Sequence, residues 1–201
     1  MRAIAASLAV SFFLATAISR AADYYVDVDW ASTESGTQTQ PYNTIKDAVD
    51  AANAVVGTHN IYIAEGWYGD VANGGTEDYS AGGAVDGGIT VTKKMNLYGG
   101  YAGWQGASTF DWTTRTSRAT QIDLKNAGSR AFRNDCPTHN ALGPTFDGMS
   151  FSNANHGTSG GALYCSSAYW MGMGVNNCLF MNNSVTGSGG AVYDAMDAPG
   201  Y

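Results

Sequence analysis

The chain has 201 residues, a formal net charge of −7, 13% charged residues and 26 glycines. Such an acidic chain repels nucleic acid and anionic lipid, so neither is an expected partner. The glycine follows no three-residue period, which excludes collagen; scarce charge with abundant glycine suits many short strands joined by tight turns.

Residues 1–21 read as a signal peptide. Arg2 supplies the positive start, residues 3–18 are apolar, and Ser19-Arg20-Ala21 fits a small-x-small cleavage site before Ala22. A membrane anchor is the weaker reading, because the apolar run is short and no flanking stop-transfer charge follows; no other segment approaches spanning length. The expected product is exported, to the extracellular space or the outer-membrane or cell surface. Cleavage removes Arg2 and Arg20 but none of the seventeen acids, taking the formal charge from −7 to −9. Residues 22–201 suffice for one domain with a proper core.

In the mature chain, Tyr24-Tyr25-Val26-Asp27-Val28 is a strand of β-formers, followed by a polar loop over residues 31–40. Ile45, Ala48, Val49, Ala52 and Val55 then follow helical spacing. Thr44 and Asp47 stand as a capping box and Gly57 as the stop. This is the one convincing helix, and Ile45, Val49 and Ala52 could plug an open apolar end. Ile61-Tyr62-Ile63-Ala64 is the next strand, and residues 66–86 form a long excursion. Further β segments are expected at residues 89–91, 95–98, 120–124, 131–133, 145–151, 162–165, 174–180 and 191–193, with a glycine-aromatic loop over 99–104.

A 29-residue echo closes the chain. Phe151-Ser152-Asn153 returns as Phe180-Met181-Asn182, and Ser159-Gly160-Gly161-Ala162-Leu163-Tyr164 returns as Ser188-Gly189-Gly190-Ala191-Val192-Tyr193. A unit of this size cannot bury its own apolar face and must stack on copies of itself. Anchors at Ile63, Leu97, Ile122, Phe151 and Phe180 give irregular early steps and two regular late ones. Met149 and Phe151, then Cys178 and Phe180, are expected inward. Asn153 and Asn182 are expected to bond each other as an amide ladder, and Gly160-Gly161 and Gly189-Gly190 to turn the corners. The predicted class is therefore all-β, a parallel-stranded solenoid with a short N-terminal capping helix.

Residues 24–67, with Tyr24-Tyr25-Val26-Asp27, Pro41-Tyr42-Asn43-Thr44-Ile45 and Ile61-Tyr62-Ile63-Ala64-Glu65-Gly66-Trp67-Tyr68, resemble the N-terminal cap of pectin-lyase-like right-handed parallel β-helices. Phe180-Met181-Asn182-Asn183 with Gly189-Gly190-Ala191-Val192 resembles the polymorphic outer-membrane protein repeat. The earlier copy, Phe151-Ser152-Asn153-Ala154, has its Asn one place early, although Gly160-Gly161-Ala162-Leu163 is intact. Residues 95–104 and Asp111-Trp112 resemble the first coils of such surface proteins. The organisation implied is a signal peptide over 1–21 and a β-helix over 22–201, with cap and first coil in 22–68 and two repeats in 145–201, incomplete at its C-terminal end. The open end predicts further coils or self-association.

The resemblance implies two functional classes, a surface binding or structural module and a polysaccharide lyase or hydrolase. The hydrolase elements of the family are not intact. Asn155-His156-Gly157 is the nearest echo, and its counterpart Ser184-Val185-Thr186 places His156 in a variable loop expected to face solvent. For a lyase, Asp70, Glu77, Asp78 and Asp86, with Asp27, Asp29 and Glu34, are too dispersed for a recognised calcium loop, so no cofactor is expected and calcium stays open. Arg115, Arg118, Arg130 and Arg133 are expected to pair with Asp111, Asp123 and Asp135. No catalytic residue is assigned.

Binding is the other class, through polysaccharide or cell-surface glycan stacked on exposed rings. Trp67, Tyr101, Trp104 and Trp170 are the candidates, within a larger set of Tyr68, Tyr98 and Trp112. The simpler reading is that Tyr98, Tyr101, Trp104 and Trp112 pack loops onto the wall. Cys136, Cys165 and Cys178 are favoured as small core residues. A Cys136–Cys165 disulfide is the alternative, given the 29-residue spacing.

Overall fold

The computed structural model describes residues 21–71, 74–79, 87–107, 109–125, 128–136, 143–165 and 172–194. The expected signal peptide therefore lies almost wholly outside the described residues, as do Trp170 and Asp86. The described chain is mostly β, with one short helix, parallel sheets and no closed barrel. None of its helices is long and apolar enough to cross a membrane.

Three sheets carry the architecture. The first runs β1 (Asp23–Val26), β2 (His59–Ala64), β5 (Met95–Trp104), β9 (Thr145–Asp147) and β13 (Gly174–Asn176), with β6 (Phe110–Arg115) folded back antiparallel on β5. The second holds β3 (Gly66–Gly69), β7 (Thr120–Asp123), β10 (Met149–Ser152) and β14 (Leu179–Met181). The third holds β4 (Ile89–Val91), β8 (Phe132–Asn134), β12 (Leu163–Cys165) and β16 (Val192–Asp194). A two-stranded ladder pairs β11 (Asn155–His156) with β15 (Ser184–Val185). From β2 onward the chain visits first, second and third sheet in turn, and each visit pairs in parallel with the previous one.

The core sits between the sheets, where alternate residues of each short strand point inward. Ile61, Leu97 and Phe146 line the first sheet, Tyr68, Ile122 and Phe151 the second, and Ile89, Phe132 and Leu163 the third, all buried. Phe132, Phe146 and Phe151 come from three different sheets and meet at centroid distances of 4.8, 6.1 and 6.3 Å. The last strands are less covered: Phe180 and Val192 are half-buried and Met181 is 45% exposed.

The 29-residue echo becomes the pairing register. Phe151 sits opposite Phe180, Leu163 opposite Val192 and Tyr164 opposite Tyr193. Gly160 and Gly189 have φ of 70° and 68°, the left-handed region that favours glycine. A Cβ on Gly161 would collide with the Gly190 carbonyl oxygen of the next turn.

Several expectations are corrected. Leu97 pairs with Ile61 and not Ile63, and Ile122 belongs to the second sheet opposite Tyr68. Ile61 and Ile63 both point inward, so alternation alone offered two anchors. Residues 145–151 and 174–180 are each two strands, broken at Gly148 (φ 75°) and Asn177 (φ 51°). The Asn153 side chain donates to Asp123 Oδ1 at 2.9 Å rather than to Asn182. The amide ladder stands on the first sheet instead, where Asn96 donates to Asn60 and Asn60 to Asp23, both at 2.9 Å. The three cysteines are free thiols. Cys165 sits opposite Asn134 in the ladder, two residues short of Cys136.

The helix α1 (Ile45–Ala54) starts at Thr44, whose side chain accepts from the Asp47 N–H at 3.1 Å. Ile45, Ala48, Val49 and Ala52 are buried, and α1 packs against β1, β2 and β4 at the start of the stack. Val55 falls outside the buried stripe and is exposed.

Candidate functional site

Period-two alternation that sends Ile61 and Leu97 inward sends Asn60, Tyr62, Asn96 and Tyr98 outward on the first sheet. Two rows result. One is the Asp23–Asn60–Asn96 amide ladder. The other is Tyr25–Tyr62–Tyr98, with centroids 5.1 and 5.8 Å apart and planes within 26° of parallel. Register places each tyrosine directly opposite the next, so the stack needs no special loop.

The reversal into β6 extends this face. Gly100 (φ 91°) and Gly103 (φ 66°) bend β5, and the bend brings Trp112 edge-on to Tyr25 at 4.9 Å and near Tyr101 at 6.3 Å. The Trp112 indole N–H donates to the Gln38 carbonyl at 3.0 Å, tying β6 to the N-terminal loop. Beyond it, Trp30 packs on Phe110 and Trp104 at 5.4 and 6.2 Å. Trp104 remains 37% exposed.

The margin of the face is polar. The Arg115 guanidinium lies 5.6 Å from the Tyr101 ring centre and 5.8 Å from that of Tyr98, within cation–π range. It also pairs with Asp147 Oδ2 at 3.1 Å, and Asn177 donates to Asp147 Oδ1 at 3.0 Å. Partial burial works against the Asp147 charge, but the hydrogen bonds from Arg115 and Asn177 prevail and hold its carboxyl below the ordinary value. Burial raises the Tyr62 and Tyr101 phenols, so both stay neutral hydroxyls at neutral pH.

Of the four predicted binding residues, β5 brings Tyr101 and Trp104 onto this face. Trp67 lies apart on β3, half-buried, with the Lys125 ammonium 4.4 Å over its ring. Trp170 falls outside the described residues. Tyr68 is wholly inside the core. Sequence reasoning missed Tyr25, Tyr62, Trp30 and Phe110. The findable signal was the repeated pair Ile61-Tyr62 and Leu97-Tyr98, a tyrosine one place after an inward aliphatic on β2 and on β5.

The chemical candidates are dispersed. His156 is buried, contrary to the expected exposed loop, because β11 pairs with β15 and Arg130 from the preceding turn reaches beneath it. Arg130 Nη2 lies 2.9 Å from His156 Nδ1, and its guanidinium stands 3.9 Å over the Tyr164 ring. Of the expected arginine–aspartate pairs, Arg133–Asp135 forms at 2.7 Å, whereas Arg115 takes Asp147 and Arg118 donates to the Asn177 carbonyl. Asp27 is buried and accepts from the Trp104 and Asp29 N–H groups; burial raises its carboxyl despite those bonds. No group of three or more His, Cys, Asp or Glu suited to a metal ion occurs among the described residues.

Comparison with protein-family models, curated proteins and solved structures gave no match to this chain.

Proposed function

We propose that the chain is an exported, surface or extracellular right-handed parallel β-helix module with a structural, adhesive or glycan-binding role and no catalysis in this segment. The sheet-by-sheet strand order and the 29-residue register support the solenoid. Right-handedness follows from the general preference of parallel crossover connections. The one observation that carries the binding role is the stacked, half-buried pair Tyr62–Tyr98, which continues from the covered Tyr25, beside an amide row, Asp23–Asn60–Asn96, on neighbouring positions. Rings take the apolar faces of pyranoses, and amides and carboxylates take their hydroxyls. The Arg115–Asp147 pair neutralises both charges at the margin, which suits an uncharged glycan. The half-buried Phe180 and Val192 fit cover by a second copy.

Retention on immobilised neutral glycans, lost in Tyr62→Ala and Tyr98→Ala with the fold intact, is the expected result. Turnover of neutral glycans or polyuronates, with or without calcium, would replace this reading by that of a lyase or hydrolase.

A further inference from the structure

Segment 74–79 carries a carboxylate that reaches the start of a helix more than thirty residues away. Glu77 is fully buried and accepts the Ile45 N–H on one oxygen and the Lys46 N–H on the other, the latter at 3.2 Å. These are the first two backbone donors of α1, which no intrahelical carbonyl can satisfy. The backbone of Glu77 is itself fixed: its N–H donates to Gly69 and its carbonyl accepts from Val71, in a bridge between Asp70 and Glu77. Two residues on, the Tyr79 hydroxyl donates to the Tyr68 carbonyl at 2.9 Å, and the Tyr79 N–H donates to Asp70 Oδ2. Glu77 is thus the polar joint between this segment and the helix that covers the start of the core.

We propose that this joint is a pH-sensitive clasp, held while Glu77 carries a proton and loosened as it ionises. The groups acting on Glu77 are Lys46 and Asp47 on α1, Tyr68 on β3, and Tyr79 two residues on. Lys46 is the one cation among them, and its ammonium is engaged by Asp50. The two N–H bonds and Lys46 favour the charge, while Asp47 opposes it. Burial outweighs them and raises the carboxyl from its ordinary 4.5 to about 7. On protonation one oxygen becomes a hydroxyl and holds its N–H more weakly, a smaller loss than burying the charge. The folded chain binds this proton more tightly than the unfolded one, so stability at the joint is full below about 4.5 and falls as pH rises through about 7.

Hydrogen exchange on the full chain between pH 5 and pH 8 tests the clasp, with protection corrected for intrinsic base catalysis and referenced to the Phe151 amide. The expected result is a loss of protection at Ile45 and Lys46 on the order of a hundredfold, abolished in Glu77→Gln, which keeps an acceptor but cannot ionise. Wild-type protection that is flat with pH, or the same pH dependence in Glu77→Gln, overturns the proposal. Should Glu77→Gln not fold, the carbon-13 titration of the Glu77 carboxyl decides. A midpoint near 7 supports the clasp, and one at or below 4.5 overturns it.

Discussion

Phe151 and Phe180 stack with ring centres 5.1 Å apart and planes 11° from parallel, on strands that pair in register. The two rings are not equivalent. Phe151 is enclosed by Phe132, Phe146 and Phe180, whereas Phe180 is half-buried on the last described strand of its sheet. Phe151→Ala should cost about 3–5 kcal/mol and Phe180→Ala about 1–2 kcal/mol, read as shifts in the urea midpoint at constant slope. Equal costs would mean that the repeats do not stack in this order.

The glycine corners give a sharper contrast. Gly161 lies where any Cβ meets the Gly190 carbonyl, while Gly157 has open space around it. Gly161→Ala should therefore lose about 2 kcal/mol or more, since the obstacle is backbone. Gly157→Ala should stay within about 0.5 kcal/mol of wild type. Thermal melts of the two variants separate a close approach of successive turns from a general dislike of alanine.

The amide ladder predicts a charge effect. Asn60 accepts from Asn96 and donates to Asp23, so Asn60→Ala should cost about 1 kcal/mol. Asn60→Asp sets a second carboxylate against Asp23 and should cost more at low salt. Because the site is exposed, added salt should recover part of the loss. A cost that does not change with salt would place Asp23 away from Asn60.

The thiols should be unreactive. Burial pushes the Cys136 thiol up to about 11, with the neighbouring Cys165 and Asp135 adding to the shift, and burial also raises Cys178. Native protein at neutral pH should label at Cys136 and Cys165 only after unfolding, and reductant should leave its intact mass unchanged. Rapid native labelling of Cys136 would contradict its place under β4.

How far the sequence foretold this depends on which interaction decides each feature. The Thr44–Asp47 cap and the buried stripe of Ile45, Val49 and Ala52 are local, and the structure has both. The pairing of Phe151 with Phe180 is non-local, yet an uninterrupted repeat carries it. The earlier pairings were hidden, because Ile61 and Ile63 point inward alike and loops of different length separate successive visits to a sheet. His156 looked like a loop residue because Val185 replaces it one turn later; its burial comes from Arg130, one turn earlier. The tyrosine row was spread over β1, β2 and β5, and its packing depends on the reversal at Gly100 and Gly103, which places Trp112 over Tyr25.

The most direct test of the stacked architecture is a disulfide trap between Tyr164 and Tyr193, whose rings lie 5.4 Å apart on paired strands. Adjacent strands are ~4.8 Å apart, within disulfide reach. In a background with Cys136, Cys165 and Cys178 changed to Ala, Tyr164→Cys with Tyr193→Cys should close within one molecule under mild oxidation, and Tyr164→Cys with Val192→Cys should stay reduced. Closure of the Val192 pair with the Tyr193 pair left open would contradict the 29-residue register.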